Sequence, residues 1–318
     1  MDFNKQKLSI YVYTYSYPED ESSLCALEMR SFFGKDSNSK VLESCEEIDP
    51  SRSPFIKERV RVIYEGETFQ ELTKKVNNFR LEETTFKVIY VKNSDVSKTE
   101  KEGFKKRREI EKEIGLYVNG KADLHNPDQL FGVMNVNGRW IFGDYAKSEA
   151  VWFQHQKKPH EYSTALSTRV ARAVVNIALP NTSGIKAIDP CCGIGTVLVE
   201  ARSMGIDIVG SDRNHLIING ARENIVHFGL TGEVNLADIR DITDHYDVAI
   251  IDLPYNLCSF ITTEEQLEIL ESARRFANKV VVVTVEPIDG VLLTAGFTII
   301  DRGTAKKGLF TREVIVCR

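Results

Sequence analysis

The chain has 318 residues, of which 42% are apolar, 27% charged and 9% aromatic, which excludes a disordered, collagenous or disulfide-stapled protein and leaves core enough for two or three domains. No apolar run reaches the roughly 18 residues of a membrane helix, Met1 to Lys5 lack the pattern of a signal peptide, and six cysteines without a CxxC pair point to a reducing, cytoplasmic setting. The net charge of −5 hides a gradient: residues 51–200 carry 24 Lys and Arg against 19 Asp and Glu, and residues 201–300 carry 7 against 15, so a polyanion would meet the middle of the chain.

In chain order, residues 8–15 alternate in the strand period and are rich in aromatic and β-branched types. A helical pattern then runs through Leu24, Leu27, Met29 and Phe32 and closes at Gly34. Strands are expected at 59–64 and 85–91, with a helix over 68–79 between them. Residues 98–113 hold seven Lys or Arg and five Glu. They read as a solvated amphipathic helix with i,i+4 pairs, or as a helix facing RNA. Residues 129–134 and 139–142 flank Asn137-Gly138, a strong hairpin signal. The polar, proline-containing stretch 154–162 reads as a linker, followed by a helix with Val170, Val174 and Ile177 on one face.

From residue 186 the rhythm is α/β. Strands are expected at 186–189, 206–211, 233–237, 247–251, 279–285, 297–301 and 310–317, with helical patterns between the first five. Thr263 and Gln266 suit a capping box before a helix over 264–277. The last two strands are too close for a crossover helix, so a mostly parallel sheet should end in an antiparallel hairpin.

The chemistry gathers at the strand ends. The first ends in Asp189-Pro190-Cys191-Cys192-Gly193-Ile194-Gly195-Thr196. Glycines at such a turn let backbone approach a ligand, although Leu198 occupies the third glycine position of a dinucleotide fingerprint. The second ends in Asp212, which suits two ribose hydroxyls or a helix N-cap. The third ends in Asp238-Ile239, where a carboxylate can accept an adenine amine. The fourth ends in Asp252-Leu253-Pro254-Tyr255. There Asp252 and a backbone carbonyl can hold an exocyclic amine, Pro254 turns the chain and Tyr255 offers a stacking face, so that orientation supplies the acceleration. Cys191 and Cys192 read as small loop residues and Cys258 as packing, since no base is placed beside them. The six histidines show no ligand spacing, and no metal site is expected.

This constellation resembles the class I S-adenosylmethionine-dependent methyltransferases, and within them the amino-methyltransferases marked by [DNS]-P-P-[YFW], from which Leu253 departs. Asp189 to Thr196 with Glu200-Ala201 is similar to the pattern of THUMP-associated RNA methyltransferases. Lys158-Pro159, Ala171-Arg172 and Asn176-Ile177-Ala178 resemble the tRNA guanine-10 N2-methyltransferase group. Leu124-His125-Asn126-Pro127-Asp128 resembles a THUMP stretch, and Glu28-Met29-Arg30 the group's N-terminal module.

The resemblance implies an α/β chain: a ferredoxin-like module at 1–80, a THUMP-like RNA-binding module at 81–153, a linker and helix at 154–180, and a Rossmann-like methyltransferase sheet with an antiparallel last strand at 181–318. It implies S-adenosylmethionine as cofactor, held by Asp189, Cys191, Gly193, Gly195, Asp212, Asp238 and Ile239, with Asp252, Pro254 and Tyr255 catalytic. The implied reaction is methyl transfer to the N2 amine of a guanine in tRNA. The same fold also serves ribosomal RNA or adenine-N6 methylation, or non-catalytic RNA binding. Lys105, Lys106, Arg107, Arg108, Lys157 and Lys158 are candidate phosphate contacts. The partner is tRNA or another structured RNA, not a membrane; the motifs specify no activating subunit.

Overall fold

A computed structural model describes residues 9–36, 39–95, 103–162, 164–254, 261–307 and 310–318. In chain order the elements are β1 (Tyr11–Tyr15), α1 (Ser22–Phe33), β2 (Val41–Ser44), β3 (Ile56–Gly66), α2 (Phe69–Val76), β4 (Arg80–Tyr90), α3 (Phe104–Tyr117), β5 (Asn119–Ala122), β6 (Gln129–Val136) and β7 (Arg139–Lys147). There follow α4 (Thr168–Ala178), β8 (Ala187–Asp189), α5 (Thr196–Ser203), β9 (Ile208–Asp212), α6 (His215–His227), β10 (Glu233–Leu236), β11 (Tyr246–Asp252), α7 (Thr263–Phe276), β12 (Ala277–Thr284), α8 (Asp289–Thr294), β13 (Ile299–Lys307) and β14 (Phe310–Cys317). They divide into two compact units. One holds residues 1–16, 37–51 and 55–149; the other holds 17–36, 52–54 and 150–318.

The first unit is built on one seven-stranded sheet in the order β2-β1-β3-β7-β6-β4-β5. The expected modules at 1–80 and 81–153 therefore share a sheet, because β3 pairs antiparallel with β7 across that boundary. Helices α2 and α3 cover one face: Leu72, Val76, Ile110 and Ile114 pack with Phe86, Phe131 and Phe142. Val12, Val60, Met134 and Ile141 form a second cluster. The β6–β7 hairpin turns at Asn137-Gly138, both with positive φ, as a primed turn demands.

Sequence neighbourhood misassigns α1. It lies between two strands of the first unit but belongs to the second, where buried Glu28 accepts hydrogen bonds from Ser53 Oγ and, at 2.7 Å, from Asn176 Nδ2 on α4. Arg30 binds both carboxylate oxygens of Asp301, at 2.7 and 2.8 Å. Most of the partners lie far off in sequence, so no local pattern reports them.

The second unit holds a seven-stranded sheet in the order β10-β9-β8-β11-β12-β14-β13. It is parallel except where β14 runs antiparallel between β12 and β13. Ala249, Ile251, Val280, Val282, Ile315 and Cys317 cluster with Leu270, Phe276 and Leu292 of α7 and α8. The intervening Val248, Ile250, Val281 and Val283 are buried too. Alternate residues of a strand point to opposite faces, so these strands read as continuous apolar runs because both faces are covered. Helix α7 begins one residue earlier than its sequence suggests: Thr262 is the N-cap and Glu265 closes the box at 3.2 Å in each direction. A carboxylate suits the positive helix start better than the Gln266 amide. Lys279 Nζ closes α4 by donating to the carbonyls of Ile177 and Ala178, both at 2.8 Å. Among the described residues no helix is long and apolar enough to cross a membrane.

Candidate active site

In the second unit the chain leaves β8 toward β9 on one side and later returns to β11 on the other. Strand order reverses there, and in open α/β sheets ligands bind outside the carboxyl ends of the strands at such a switch point. A cavity of about 610 Å³ opens at this point, within the range of small-molecule sites. Asp189 ends β8, Asp212 ends β9 and Asp252 ends β11, and all three line it, together with Cys191, Gly193, Asp238, Ile239 and Pro254.

The Gly-rich turn is held by its own carboxylates. Asp189, 2% exposed, accepts from the Cys191 amide at 3.3 Å; burial holds its pKa well above the ordinary value, and the Asp252 and Asp212 charges push the same way. Asp212 accepts from the amides of Gly193 at 3.0 Å and Asn214 at 2.9 Å. It does not cap α6: Asn214 does, accepting from Leu216 N at 3.0 Å. Gly195 is apart from the cavity lining. It begins α5 with φ +77°, and a Cβ there would meet the Ala221 Cβ at 3.2 Å, so its smallness serves the turn and the approach of α6.

Asp238 is already engaged. Its carboxylate takes Arg240 Nε at 2.9 Å and Nη2 at 2.8 Å, and it caps the turn by accepting from Arg240 N at 3.0 Å. These bonds lower its pKa to about 2. Arg240 also reaches Glu268 of α7 at 3.2 Å, so it straps one wall of the cavity. Sequence reading misses Arg240, although its spacing of two from a turn-capping Asp is visible.

Asp252 differs from the others. It is half-buried and opens on the cavity, and its Oδ1 is buried without a hydrogen-bond partner among the described residues. Burial raises its pKa to about 7, against the pull of the Arg312 charge. A buried acceptor without a donor is costly; here it faces a space where a donor can enter. Leu253 is 3% exposed and continues into the core. Its amide donates to the Val283 carbonyl at 3.0 Å, which fixes the end of β11 against β12. The Leu therefore serves packing where the resembled motif has proline. Pro254 is exposed at the cavity rim. Tyr255 and Cys258 lie outside the described residues.

Residues 155–284 match a family model described as the RMKL-like methyltransferase domain. Residues 155–284 thus resemble a methyltransferase domain. A tRNA (guanine(10)-N2)-dimethyltransferase of Methanothermobacter thermautotrophicus is 33% identical over 185 residues, covering 52% of this chain and 54% of that relative. A U6 snRNA (guanine-N(2))-methyltransferase, THUMPD2 of Bos taurus, is 27% identical over 224 residues, covering 63% of this chain and 41% of that relative. The chain thus spans about half the length of the curated relatives it matches. The crystal structure of TrmN from Thermus thermophilus is 15% identical with a TM-score of 0.48, covering 97% of this chain and 99% of that one.

Several motif residues of this region form a buried polar network. Glu200, fully buried on α5, accepts from Arg172 Nη1 at 2.9 Å and pairs with His155 Nδ1 at 2.7 Å. Arg172 and Asn176 both donate to the Arg52 carbonyl, at 2.9 and 3.0 Å. These residues tie the segment before β8 to α5, and they lie apart from the cavity lining. Lys158 likewise turns inward: its half-buried Nζ donates to Thr196 Oγ1 at the start of α5, at 2.7 Å, and burial lowers its pKa. Lys157 is exposed.

Lys105, Lys106, Arg107 and Arg108 lie in the other unit, on α3. Ile110 and Ile114 are the buried side of that helix, while Lys105, Lys106 and Arg108 are exposed. Arg108 pairs with Glu111 at 2.8 Å. The Arg107 and Arg108 guanidiniums stand 5.9 and 5.4 Å from the ring of Phe104, which is 69% exposed. The 123–128 stretch is turn chemistry: Asp123 accepts from His125 N at 2.8 Å and Asn126 N at 3.0 Å, and Asp128 accepts from Thr85 N and Oγ1, both at 2.7 Å.

The cysteines of the Gly-rich turn are ill-suited to nucleophilic attack. Burial and the neighbouring carboxylates push both the Cys191 and the Cys192 thiol up, so the reactive thiolate is scarce at neutral pH. Iodoacetamide at pH 7.5 should alkylate exposed Cys45 and leave Cys191 and Cys192 unmodified, as read by peptide mass spectrometry. Rapid labelling of either turn cysteine in the folded protein would refute their inertness.

Proposed function

We propose that this chain transfers a methyl group from S-adenosylmethionine to the exocyclic N2 amine of a guanine in RNA, and that the RNA is tRNA. The observation that carries the reading is Asp252, an acceptor with no partner for its Oδ1 among the described residues, at the switch point of a methyltransferase sheet. The residues present fit the cofactor. Asp212 would take the ribose hydroxyls, Asp238 and Ile239 the adenine, and the turn containing Asp189, Cys191, Gly193 and Gly195 the amino-acid end. When bound, S-adenosylmethionine supplies a methyl already activated by the sulfonium.

The protein's own part is then orientation. Asp252 accepts a hydrogen bond from the N2 amine and directs the nitrogen lone pair toward the methyl carbon. With the cofactor bound, the amine would take its methyl group, the S–C bond breaking as the C–N bond forms, and the Asp252 carboxylate or water would take the surplus proton from the amine. Tyr255, by its place in the motif, would stack on the base. A paired guanine must first leave its helix. Lys105, Lys106, Arg107, Arg108 and Lys157 would meet phosphates. Lys158, already turned toward Thr196, is better suited to the cofactor turn than to RNA.

The names of the relatives support guanine N2 as acceptor and differ on the RNA. Tritium transfer from labelled S-adenosylmethionine into tRNA, U6 snRNA and ribosomal RNA, followed by nucleoside chromatography, tests both points. Label in N2-methylguanosine from tRNA is expected. The same nucleoside from U6 snRNA alone would replace the RNA, and label in N6-methyladenosine would replace the chemistry.

A further inference from the structure

The last strand places a buried cation against the cavity wall. Arg312 on β14 is only 6% exposed. Its neighbour Glu313 pairs with Thr284 at the end of β12, and Val283 pairs with Asp252. Arg312 therefore sits at the same end of the sheet as the carboxylate, two strands away. Its Nη2 donates to the Thr164 carbonyl at 3.0 Å, and Thr164, with Ala165 and Leu166, lines the cavity.

We propose that Arg312 is a positioning residue for the transfer reaction, anchoring the Thr164 segment of the cavity wall and supplying the positive charge that faces Asp252. This rests on the methyltransferase reading above. Its electrostatic logic follows from the company Asp252 keeps. From β8 and β9 come the Asp189 and Asp212 carboxylates and the Cys191 thiol; from α7 come Glu265 and Glu268. The cations among the described lining residues are Arg213 and Arg240, and Arg240 is committed to Asp238 and Glu268. Arg312 is the cation whose charge acts on Asp252 itself. Without it, burial acts on that carboxyl unopposed, the neutral acid persists to higher pH, and a protonated carboxyl is a poorer acceptor for the amine.

The test titrates Asp252 directly. The protein is labelled with 13C-carboxyl aspartate, the Asp252 signal is assigned by its loss in Asp252→Asn, and wild type is compared with Arg312→Gln and Arg312→Lys. In parallel, methyl transfer to tRNA is followed from pH 6 to 9. Arg312→Gln should raise the Asp252 midpoint and the acid limb of transfer together by about one pH unit, the low end for loss of an adjacent opposite charge. Arg312→Lys, which keeps the charge, should restore most of both shifts, whereas a purely structural role would give a loss independent of pH. An unmoved Asp252 midpoint in folded Arg312→Gln overturns the electrostatic role whether or not the protein transfers methyl groups. A shifted midpoint in a protein whose wild type methylates no RNA overturns the methyltransferase reading, and the positioning role with it.

Discussion

Asp252→Ala should lower methyl transfer by about 100- to 1,000-fold, the scale for removing one oriented hydrogen-bonding group from a desolvated site, while cofactor affinity stays within about threefold. The asymmetry is the informative part. Asp189, Asp212 and Asp238 are engaged with backbone amides or Arg240, and they surround the region assigned to the cofactor. Asp252 Oδ1 has no such partner among the described residues, so its contribution should appear only when an amine arrives. Calorimetry with S-adenosylmethionine and single-turnover transfer measure the two quantities separately. Near-normal turnover in Asp252→Ala would remove this residue from the chemistry.

The pH dependence follows from the same burial. With its pKa raised to about 7, the unliganded protein holds Asp252 largely protonated in mild acid, and kcat/KM, which reports the free enzyme, should rise as pH passes through that value. The stability effect has the opposite sign. A carboxyl whose folded pKa lies above its unfolded value stabilises the fold fully below the unfolded value, 3.8 for Asp252, and that contribution is lost as pH rises through about 7. Asp189 is shifted in the same direction, so replacing Asp252 with Asn should remove only part of the decline.

Much of this site is legible in the sequence because parallel strands covered on both faces are continuous apolar runs, and each ends where its chemistry begins. Asp189, Asp212, Asp238 and Asp252 can be read in order for that reason. What escapes are relationships between distant residues. Glu28 meets Asn176 across 148 positions, and nothing local to α1 announces that it packs in the second unit. Arg312 reaches Thr164 across 148 positions from a strand that reads simply as a sheet edge. The short strand β5 is exposed throughout and has no apolar alternation to betray it. Composition makes Lys158 a surface charge, and only geometry turns it toward Thr196.

Gly143→Ala should unfold or severely loosen the first unit. A Cβ at Gly143 would stand 1.8 Å from the Arg61 carbonyl oxygen and 2.7 Å from its carbon. These are backbone atoms of β3, which pairs with β7 in the interior of the sheet, beside a register shift between Val62 and Tyr64. No rotamer change relieves such a contact, so the strands must separate or slip. The expected cost is about 3 kcal/mol or more, at or above the upper end for overpacking. Gly132→Ala is the control, because its nearest neighbour, at 2.7 Å, is the side-chain Cγ2 of Val60, which can rotate aside. Thermal melts and limited proteolysis should therefore rank Gly143→Ala well below Gly132→Ala. If the first unit grips RNA, Gly143→Ala should lose tRNA affinity while the second unit still binds S-adenosylmethionine normally. Unchanged tRNA affinity in a variant whose first unit has melted would move the RNA contacts to the second unit, and Lys105, Lys106, Arg107 and Arg108 would then be no more than the solvated face of α3.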